Sequence, residues 1–456
     1  MEPLKLMTPT GHLGFTPFED ASFRRGLSLR PDVLIADSGS SDIGPYPLGA
    51  DVPASPERWQ RYDLERLLLA ARQLDIPLVI GSASDTGTNR GVHQYARLIR
   101  ELARQHRLAP FTLACIYSEV KKSWVADQLQ KGLRIAGLQG RPDLTMETLQ
   151  RTERIVAVMG AEPIIRALEQ GADVVIAGRA SDTCIFAAPA LHWGISPDLA
   201  YYAGKVLECA SFCAEPFMGK ETVIGTLDGD SLWVEPMHPD QRCTIASITS
   251  HTMYERPDPY EERLPGGVLD MRHCVYEEVN ERVTRITGAR FIPAAQYTIK
   301  LEGAGRVGER CLAIVGLRDP DVITRIDLVI KWCNQKVREV FGDPEEEGYR
   351  LYYHIYGRNG VMGEREPQAH IRSHEVGVVV EGVAPTQELA REITGLAARN
   401  FLYARLPGIR GTAGTAAYLS DEVLAARPGY EWTINHVVPV KDPLELFPIH
   451  LERVGG

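Results

Sequence analysis

Short apolar segments alternate with amphipathic segments over roughly the first half of the chain. Pro31–Ala36, Pro77–Ile80 and Phe111–Tyr117 are β-branched or apolar runs typical of buried strands, and Asn89–Arg107 carries apolar residues at helical spacing. Strands that alternate with helices predict a mostly parallel sheet covered by helices. We therefore expect an α/β domain over residues 1–215, with a doubly wound sheet and helices on both faces. A barrel is the alternative, because periodicity does not separate the two.

From about residue 214 the pattern changes to closely spaced strands. Asp228-Gly229 is a hairpin signal between two β-rich runs, and a helix is predicted from about Pro320 to Phe341. Val376–Val383 then predicts a strand, followed by a helix over Pro385–Leu402. We expect a second domain over residues 216–456, of the α+β class, with a mixed or antiparallel sheet.

Three glycines, Gly303, Gly305 and Gly308, have the spacing of the dinucleotide fingerprint. That fingerprint requires a helix to begin there, so that its N-terminus meets the pyrophosphate. The residues that follow have the pattern of a strand, so we reject the match and predict a hairpin. The chain also lacks a Walker A motif and a G-x-S-x-G elbow. No cofactor is implied by these motifs.

The amino-acid composition limits the classes of partner that the protein is expected to bind. The 456 residues include 50 basic and 60 acidic side chains, a net charge of −10, which argues against a nucleic-acid or anionic membrane surface. No run approaches the roughly 18 apolar residues of a membrane helix. The first residues do not have the pattern of a signal peptide, and eight cysteines without one indicate reduced thiols. We expect a cytoplasmic protein.

The candidate chemistry follows three of the predicted strands. Each strand ends in small hydroxyl residues and an aspartate: Asp37, Ser38 and Asp42; then Ser82, Ser84, Asp85 and Thr86; then Gly178, Arg179, Ser181, Asp182 and Thr183. A single aspartate after a strand often only caps the next helix. Three such loops favour one polar site, because the carboxyl ends of parallel strands meet at one crevice.

Arg179 is a fixed cation just past a buried strand. A guanidinium there suits a carboxylate or phosphate held by two hydrogen bonds. The alternative is a structural ion pair with Asp37, Asp85 or Asp182. Both interpretations remain open from the sequence.

Other candidates are weaker. Glu119 and Lys121 follow the fourth strand, where a lysine polarises a carbonyl or acts as a base, although adjacent lysines are commonly solvated. His370 and His374 would share one face of a helix but do not form the H-E-x-x-H pattern, so we assign no metal site to them. The glycine-rich Gly408–Ala417 either approaches a ligand closely or forms a plain turn.

Three stretches carry a resemblance to a known family. Gly178–Pro189 (GRASDTCIFAAP), His374–Ala390 and Ala404–Asp421 resemble the acyclic terpene utilisation (AtuA-like) proteins. That family is named for bacterial breakdown of branched terpenoids as acyl-CoA derivatives. The resemblance implies a role in the catabolism of branched acids. It includes Gly178, Arg179, Ser181 and Asp182 in the family's signature without giving them roles.

These observations lead us to expect a lyase or hydratase acting on a carboxylate or acyl-CoA thioester. Arg179 would hold the anion, and Asp85 or Asp182 would be the general acid or base, with a pKa raised by burial and by the other carboxylate. Lys121 is a further catalytic candidate. The hydroxyls, with backbone N–H groups, would stabilise an enolate-like charge. The expected substrate-binding residues are Asp37, Ser38, Ser82, Ser84, Thr86, Glu119, Gly178, Arg179, Ser181 and Thr183.

Two other classes of function stay open. A non-catalytic ligand-binding or assembly subunit would use the same loops and expose a large apolar patch. A metal-dependent hydrolase would hold a divalent cation on Asp37, Asp42 and Asp85, because hard cations prefer clustered carboxylates. A free-standing enzyme of this kind is expected to be a homo-oligomer.

Overall fold

The structure is a computed structural model, and it describes residues 2–9, 11–39, 41–368, 370–404, 406–408, 416–419 and 422–456. Within these residues the strands are, in chain order, β1 (Leu4–Thr8), β2 (Val33–Gly39), β3 (Leu78–Asp85), β4 (Phe111–Ile116), β5 (Ala136–Gly137), β6 (Arg154–Val158), β7 (Val174–Ala177), β8 (Val223–Asp228), β9 (Ser231–Pro236), β10 (Glu261–Leu264), β11 (Gly267–Asp270), β12 (Val275–Glu278), β13 (Thr284–Thr287), β14 (Arg290–Pro293), β15 (Thr298–Leu317), β16 (Arg350–Tyr356), β17 (Val376–Ala384), β18 (Ala416–Tyr418), β19 (Leu424–Pro439) and β20 (Ile449–Val454).

The helices of the same residues are, in chain order, α1 (Asp20–Ser28), α2 (Pro45–Ala50), α3 (Glu57–Leu74), α4 (Asn89–Gln105), α5 (Lys122–Gln130), α6 (Met146–Arg151), α7 (Glu162–Glu169), α8 (Asp182–His192), α9 (Pro197–Leu207), α10 (Ile245–Met253), α11 (Pro320–Thr324), α12 (Ile326–Phe341), α13 (Pro344–Glu347) and α14 (Gln387–Tyr403). The glycine-rich segment singled out in the sequence lies largely outside the described residues, since 409–415 are not among them.

The chain divides into two compact units. The first contains residues 1–305 and 432–456, and the second contains residues 306–431. The chain passes between the units within β15 and within β19.

A ten-stranded sheet organises the first unit, in the order β12-β13-β9-β8-β1-β2-β3-β7-β4-β20. The five strands β1, β2, β3, β7 and β4 run parallel, and antiparallel strands extend the sheet on either side. The sheet is therefore open and mixed, which confirms the prediction of an α/β protein. The change in sequence pattern near residue 215 marks the passage from the parallel strands to the antiparallel hairpin β8–β9.

Helices cover both faces of the parallel strands. Alternate strand residues enter two apolar clusters, because successive side chains of a strand point to opposite faces. Leu78 and Ile80 of β3 pack in one cluster with α3 and α4, whereas Val79 packs in the other with α7, α8 and α9. Helices α1, α3 and α4, from the connections between β1 and β4, pack on the first face, and α7, which precedes β7, packs on the second.

The hairpin predicted at Gly303, Gly305 and Gly308 is wrong, because these glycines lie inside β15. Instead of a hairpin, Thr298–Leu317 is one continuous strand. A Cβ at Gly303 would lie 2.8 Å from the Ile434 side chain, and one at Gly305 would lie 2.2 Å from the backbone oxygen of Arg151. These glycines therefore permit close packing of neighbouring chain segments, rather than a turn. The rejection of the dinucleotide fingerprint agrees with the strand, because no helix begins there.

The second unit contains an antiparallel sheet in which β17 pairs with β16 and with residues 309–317 of β15. Val315, Val378 and Val380 point to one face, where α12 and α14 cover them in an apolar cluster. His370 and His374 precede β17 in irregular backbone, so the helical pairing considered for a metal does not form.

None of the described helices is long and apolar enough to cross a membrane. All eight cysteines have free thiols, and six of the eight are buried.

Candidate functional site

The polar loops meet at the carboxyl ends of β2, β3 and β7, in the first unit. The chain leaves β3 toward α4 on one face of the sheet and leaves β7 toward α8 on the other face. Connections that diverge in this way open a crevice at the strand ends, which is where open α/β sheets bind ligands. The loops containing Ser82–Thr86 and Gly178–Asp182 border this crevice.

The C-terminal end of β3 has an unusual backbone. Ser82, Ser84 and Asp85 have φ angles of 49°, 55° and 73°, in the left-handed region that residues with a Cβ rarely adopt. Such conformations cost free energy and persist where the surrounding structure imposes them, frequently at functional sites. The backbone N–H of Ser82 donates to the carbonyl oxygen of Gly178 (3.0 Å), so the end of β3 and the loop after β7 are joined directly.

Gly178 permits this close approach of the loops. A Cβ at this position would lie 2.4 Å from Oγ of Ser118 and 2.9 Å from the backbone oxygen of Gly87. The hydroxyl of Ser118 accepts from the backbone N–H of Arg179 (2.7 Å) and donates to the oxygen of Gly87 (2.8 Å). Only a residue without a Cβ fits between these groups, which fixes the backbone that carries Arg179.

Arg179 lies at the centre of the polar groups. Its Nε donates to Glu302 Oε2 (2.9 Å), and its Nη1 donates to Ser82 Oγ (3.2 Å), to Asp182 Oδ1 (3.3 Å) and to the carbonyl oxygen of Ala180 (3.1 Å). Its pKa is raised, because these acidic neighbours outweigh the effect of burial. For Nη2, the structure shows no acceptor among the described residues. Arg179 thus forms the structural ion pair with Asp182 that the sequence left open, and its Nη2 is the nitrogen that this pairing does not use.

Glu302 is the residue of this cluster that the sequence analysis missed. It lies on β15 and accepts from Arg179 and from Nζ of Lys300 (2.7 Å). Burial by itself raises the pKa of Glu302, but the two cations reverse this effect and lower the pKa to about 2. The alternation along β15 places Lys300 and Glu302 on the same face, and this opposite-charge pair was the available signal.

Asp182 is the residue of this cluster whose pKa lies near neutral pH. It is the first residue of α8, and 37% of its side chain is accessible. Its pKa is raised to about 6, because partial burial disfavours the charged carboxylate and Glu208 and Glu302 lie near it, while Arg179 opposes the rise. The pKa of Asp37 is also raised, by burial first and then by Asp182. The two aspartates are close enough for their titrations to be linked.

Asp85 has a different environment from the one expected. Its carboxylate accepts five hydrogen bonds, from the backbone N–H groups of Ala54 and Ser55, from Ser55 Oγ, from Gln60 Nε2 and from His12 Nε2. Burial alone raises its pKa, but the hydrogen bonds from His12 and Ser55 outweigh burial, and the pKa is lowered. The raised pKa expected for Asp85 or Asp182 is therefore not found at Asp85, which joins the end of β3 to residues 54–60.

Several other predicted residues bond to the scaffold. Ser38 donates to the Leu13 oxygen and contacts Tyr95 (2.5 Å), and Ser84 contacts Gln60 and Gln94. Glu119 accepts from the backbone of Asn89 and from Arg154.

The remaining predicted residues lie around α8 and α5. Thr183 donates to Glu262 Oε1 (2.8 Å), and Ser181 is the N-cap residue of α8. Lys121 is exposed at the N-cap of α5.

The described residues contain no group of three His, Cys, Asp or Glu side chains arranged to hold a metal ion. Asp42 is exposed in a short 3-10 helix, and Asp85 is surrounded by protein donors. The three aspartates considered for a divalent cation therefore do not form the ligand set.

A small, partly open cavity of about 10 Å³ lies against Arg179. Its lining residues, all from the first unit, are Ser41, Ile43, Gly44, Leu48, Asp85, Thr86, Val156, Arg179, Glu302 and Trp432. Thr86 is 7% exposed, and its hydroxyl has no hydrogen-bond partner among the described residues.

A comparison with protein families identifies the chain. The family model described as acyclic terpene utilisation family protein AtuA matches residues 10–430. This chain belongs to the AtuA family. The matched region includes the signature Gly178–Pro189 and both of the other stretches noted in the sequence. Neither the curated proteins nor the solved structures provide a match. Membership in the AtuA family associates the chain with acyclic terpene utilisation.

Proposed function

We propose that this AtuA-family protein is an enzyme that performs general acid–base chemistry on a carboxylate or its acyl-CoA thioester. The reaction class would be addition or removal of water, or cleavage of a C–C bond, during the utilisation of branched acyclic compounds. One observation carries the proposal: a buried arginine and a partly accessible aspartate with a pKa of about 6 are in direct contact at the strand ends. Taking the sheet as doubly wound, this is also where its strand order reverses.

Arg179 would bind the carboxylate or thioester carbonyl. A guanidinium is permanently charged and donates in a fixed plane, so its remaining nitrogen is a directional donor on a residue that lines the cavity. Glu302 holds Nε, which keeps the guanidinium in one orientation before the substrate arrives. Pre-oriented charge stabilises a negative charge that develops during the reaction more effectively than a mobile group does.

Asp182 would transfer the proton. A group with a pKa of about 6 is present in both protonation states near neutral pH, which favours general acid–base catalysis. A base accepts a proton from the carbon next to the carbonyl, and the electron pair moves to the carbonyl oxygen beside Arg179. The protonated Asp182 would then return the proton to the substrate or to a departing hydroxyl.

Exchange of the α-protons of a thioester in D₂O tests this proton transfer by itself, whatever the later steps of the reaction are. We would follow 3-methylbutanoyl-CoA by proton NMR. We expect exchange with the wild-type protein and at least a roughly 100-fold loss with Asp182→Asn, since acid–base groups contribute about 10²–10⁴-fold. Asp127→Asn is the control, because Asp127 is half-exposed on α5 and pairs with Lys131. Absence of exchange, or equal exchange in Asp182→Asn, would contradict the proposal.

A second function has its own supporting observation. The rings of Phe212 and Phe217 stack with centroids 5.1 Å apart and are 53% and 61% exposed, beside Met218. Exposed apolar patches mark contact surfaces, so this protein could instead serve as a ligand-binding subunit of a partner enzyme or associate with its own copies. Sedimentation of wild type and Phe217→Ser would separate these cases: loss of a self-associated species supports the homo-oligomer.

A further inference from the structure

The small cavity beside Arg179 borders polar groups whose hydrogen bonding within the protein is incomplete. Thr86 lines the cavity and is only 7% exposed, and in the part of the chain that the structure describes its hydroxyl has no hydrogen-bond partner. The hydrogen bonds that the Arg179 side chain makes with these residues use Nε and Nη1 and leave Nη2 unused. Buried polar groups of proteins are ordinarily bonded to protein or to ordered water. A buried hydroxyl at the edge of a cavity therefore indicates a small polar partner inside that cavity.

The two carboxylates of the lining differ in the hydrogen bonds that they can still accept. Asp85 accepts five hydrogen bonds from protein donors, which fills the acceptor sites of its two oxygens. Glu302 accepts from Nε of Arg179 (2.9 Å) and from Nζ of Lys300 (2.7 Å), so its oxygens keep unused acceptor sites. A ligand in the cavity thus meets one free donor, one free acceptor and one hydroxyl that serves as either.

The volume and the charges of the cavity limit the ligand to a small neutral molecule. About 10 Å³ is close to the least volume that holds one water molecule, and it is too small for a carboxylate, a phosphate or an aliphatic chain. Two carboxylates beside one arginine disfavour an anion, and the guanidinium disfavours a metal ion. A water molecule is neutral, and its two hydrogens and two lone pairs match the free donor, the acceptor and the hydroxyl.

We propose that Thr86, Arg179 and Glu302 bind one ordered water molecule, which joins the end of β3 to the buried ion pair of Arg179 and Glu302. The water accepts from Nη2 of Arg179, donates to the carboxylate of Glu302 and forms its third hydrogen bond with the hydroxyl of Thr86. Three polar partners are typical of a buried water. A substrate oxygen that reaches Nη2 would replace this water, but the water binds to the free protein and does not depend on the proposed function.

High-resolution crystal structures of the wild type, Thr86→Ser and Thr86→Val test this site directly. We expect one isolated density peak in the wild type, within about 2.7–3.2 Å of Oγ1 of Thr86, of Nη2 of Arg179 and of a carboxylate oxygen of Glu302. Thr86→Ser should retain the peak, because it keeps the hydroxyl, and Thr86→Val should lose it, because valine has the same shape without the hydroxyl. Absence of the peak in the wild type, or its persistence in Thr86→Val, would overturn the proposal.

A soak of the wild-type crystals in rubidium bromide distinguishes water from an ion, since both of these ions scatter anomalously. A peak without anomalous signal supports water. An anomalous peak at this position would overturn the proposal in favour of an ion site.

Thermal unfolding of two threonine-to-valine variants gives an independent test. Thr222 is the matched control: it is fully buried, its hydroxyl likewise lacks a hydrogen-bond partner within the described ranges, and it is not a lining residue of this cavity. Thr222→Val should leave the melting temperature unchanged or raise it, because a methyl group replaces a hydroxyl that is buried without a partner. Thr86→Val should lower the melting temperature, because the water and the ion pair that it contacts lose a hydrogen-bond partner.

The outcomes of the unfolding test are decisive in both directions. A melting temperature of Thr86→Val at or above that of the wild type would overturn the proposal. An equal fall in Thr86→Val and Thr222→Val would also overturn it, since the cavity would then not distinguish the two hydroxyls. Should Thr86→Val not fold, the density in the wild type and in Thr86→Ser decides.

Discussion

Nε of Arg179 donates to Oε2 of Glu302 across 2.9 Å, and the two side chains are only 9% and 5% exposed. These residues are far apart in the sequence and meet because β6 pairs with residues 300–304 of β15. Charges this deeply buried are tolerated only as a hydrogen-bonded pair. The pair therefore orients the guanidinium of Arg179 in the candidate site. Substitution of either residue is expected to destabilise the fold, because it leaves a buried charge without its partner.

We expect Glu302→Gln to lower the free energy of unfolding by about 3 kcal/mol at pH 7, because it leaves the Arg179 charge only partly compensated. The pKa of Glu302 is lowered to about 2, so its contribution is present above the ordinary pKa and is lost as the pH falls toward 2. Urea denaturation at pH 7 and pH 3 should show a smaller difference at pH 3. The exposed pair of Glu339 with Lys336 provides the control, Glu339→Gln, which should leave the stability almost unchanged because solvent screens the pair. Equal effects of the two substitutions would contradict the account.

Asp85→Asn should destabilise the fold by about 2–4 kcal/mol, because an amide group cannot accept all five of the hydrogen bonds that the carboxylate accepts. Asparagine tolerates the positive φ of this position, so backbone strain does not contribute. Asp75→Asn is the matched control: Asp75 also has a positive φ, and its side chain is 93% exposed. Thermal unfolding of both variants measures the difference, and a change of less than about 0.5 kcal/mol in Asp85→Asn would show that the hydrogen bonds do not support this loop.

Gly178→Ala should destabilise the protein by about 1–3 kcal/mol, since the new Cβ would overlap Oγ of Ser118 and push the loop away from Gly87. Gly377 lies in β17 with open space at its Cβ position, so Gly377→Ala should be close to neutral. The same unfolding measurement compares the two. A neutral Gly178→Ala would mean that the loops after β3 and β7 are not packed as described.

The stability difference between Asp182→Asn and the wild type should depend on pH. The pKa of Asp182 is raised to about 6, so ionisation of this group opposes folding: its stability contribution is present below the ordinary pKa near 4 and is lost as the pH rises through 6. Asp182→Asn should therefore be more stable than the wild type at pH 7.5, by about 1 kcal/mol after allowance for the accessible part of the side chain. The difference should vanish near pH 4. A difference that does not change with pH would contradict the raised pKa.

The sequence was sufficient to predict that buried parallel strands end in these polar segments. The apolar run that ends at Gly178, followed by Arg179 and Asp182, carries its signal locally, because a buried parallel strand delivers its next residues to the crevice. The α/β class followed from the same alternation of strands and helices, and Asp228-Gly229 correctly predicted the β8–β9 hairpin.

The remaining features depend on contacts that are distant in the sequence. The direction of the Asp85 pKa is set by donors from residues 12 and 54–60, which the spacing around Asp85 does not reveal. Glu302 reaches Arg179 only through the pairing of β6 with β15. The glycines at 303 and 305 were misinterpreted because glycine serves both turns and close packing, and a local pattern does not distinguish these uses.

Proton uptake on carboxylate binding tests the central claim most directly. Calorimetric titration with pentanoate at pH 6.5, in two buffers of different ionisation enthalpy, gives the number of protons taken up. An anion bound on Arg179 next to Asp182 raises the pKa of Asp182 further, so the wild type should take up a fraction of a proton and Asp182→Asn should take up none. Binding without proton uptake in the wild type, or with equal uptake in Asp182→Asn, would show that these two residues do not form the acid-binding, proton-transferring pair.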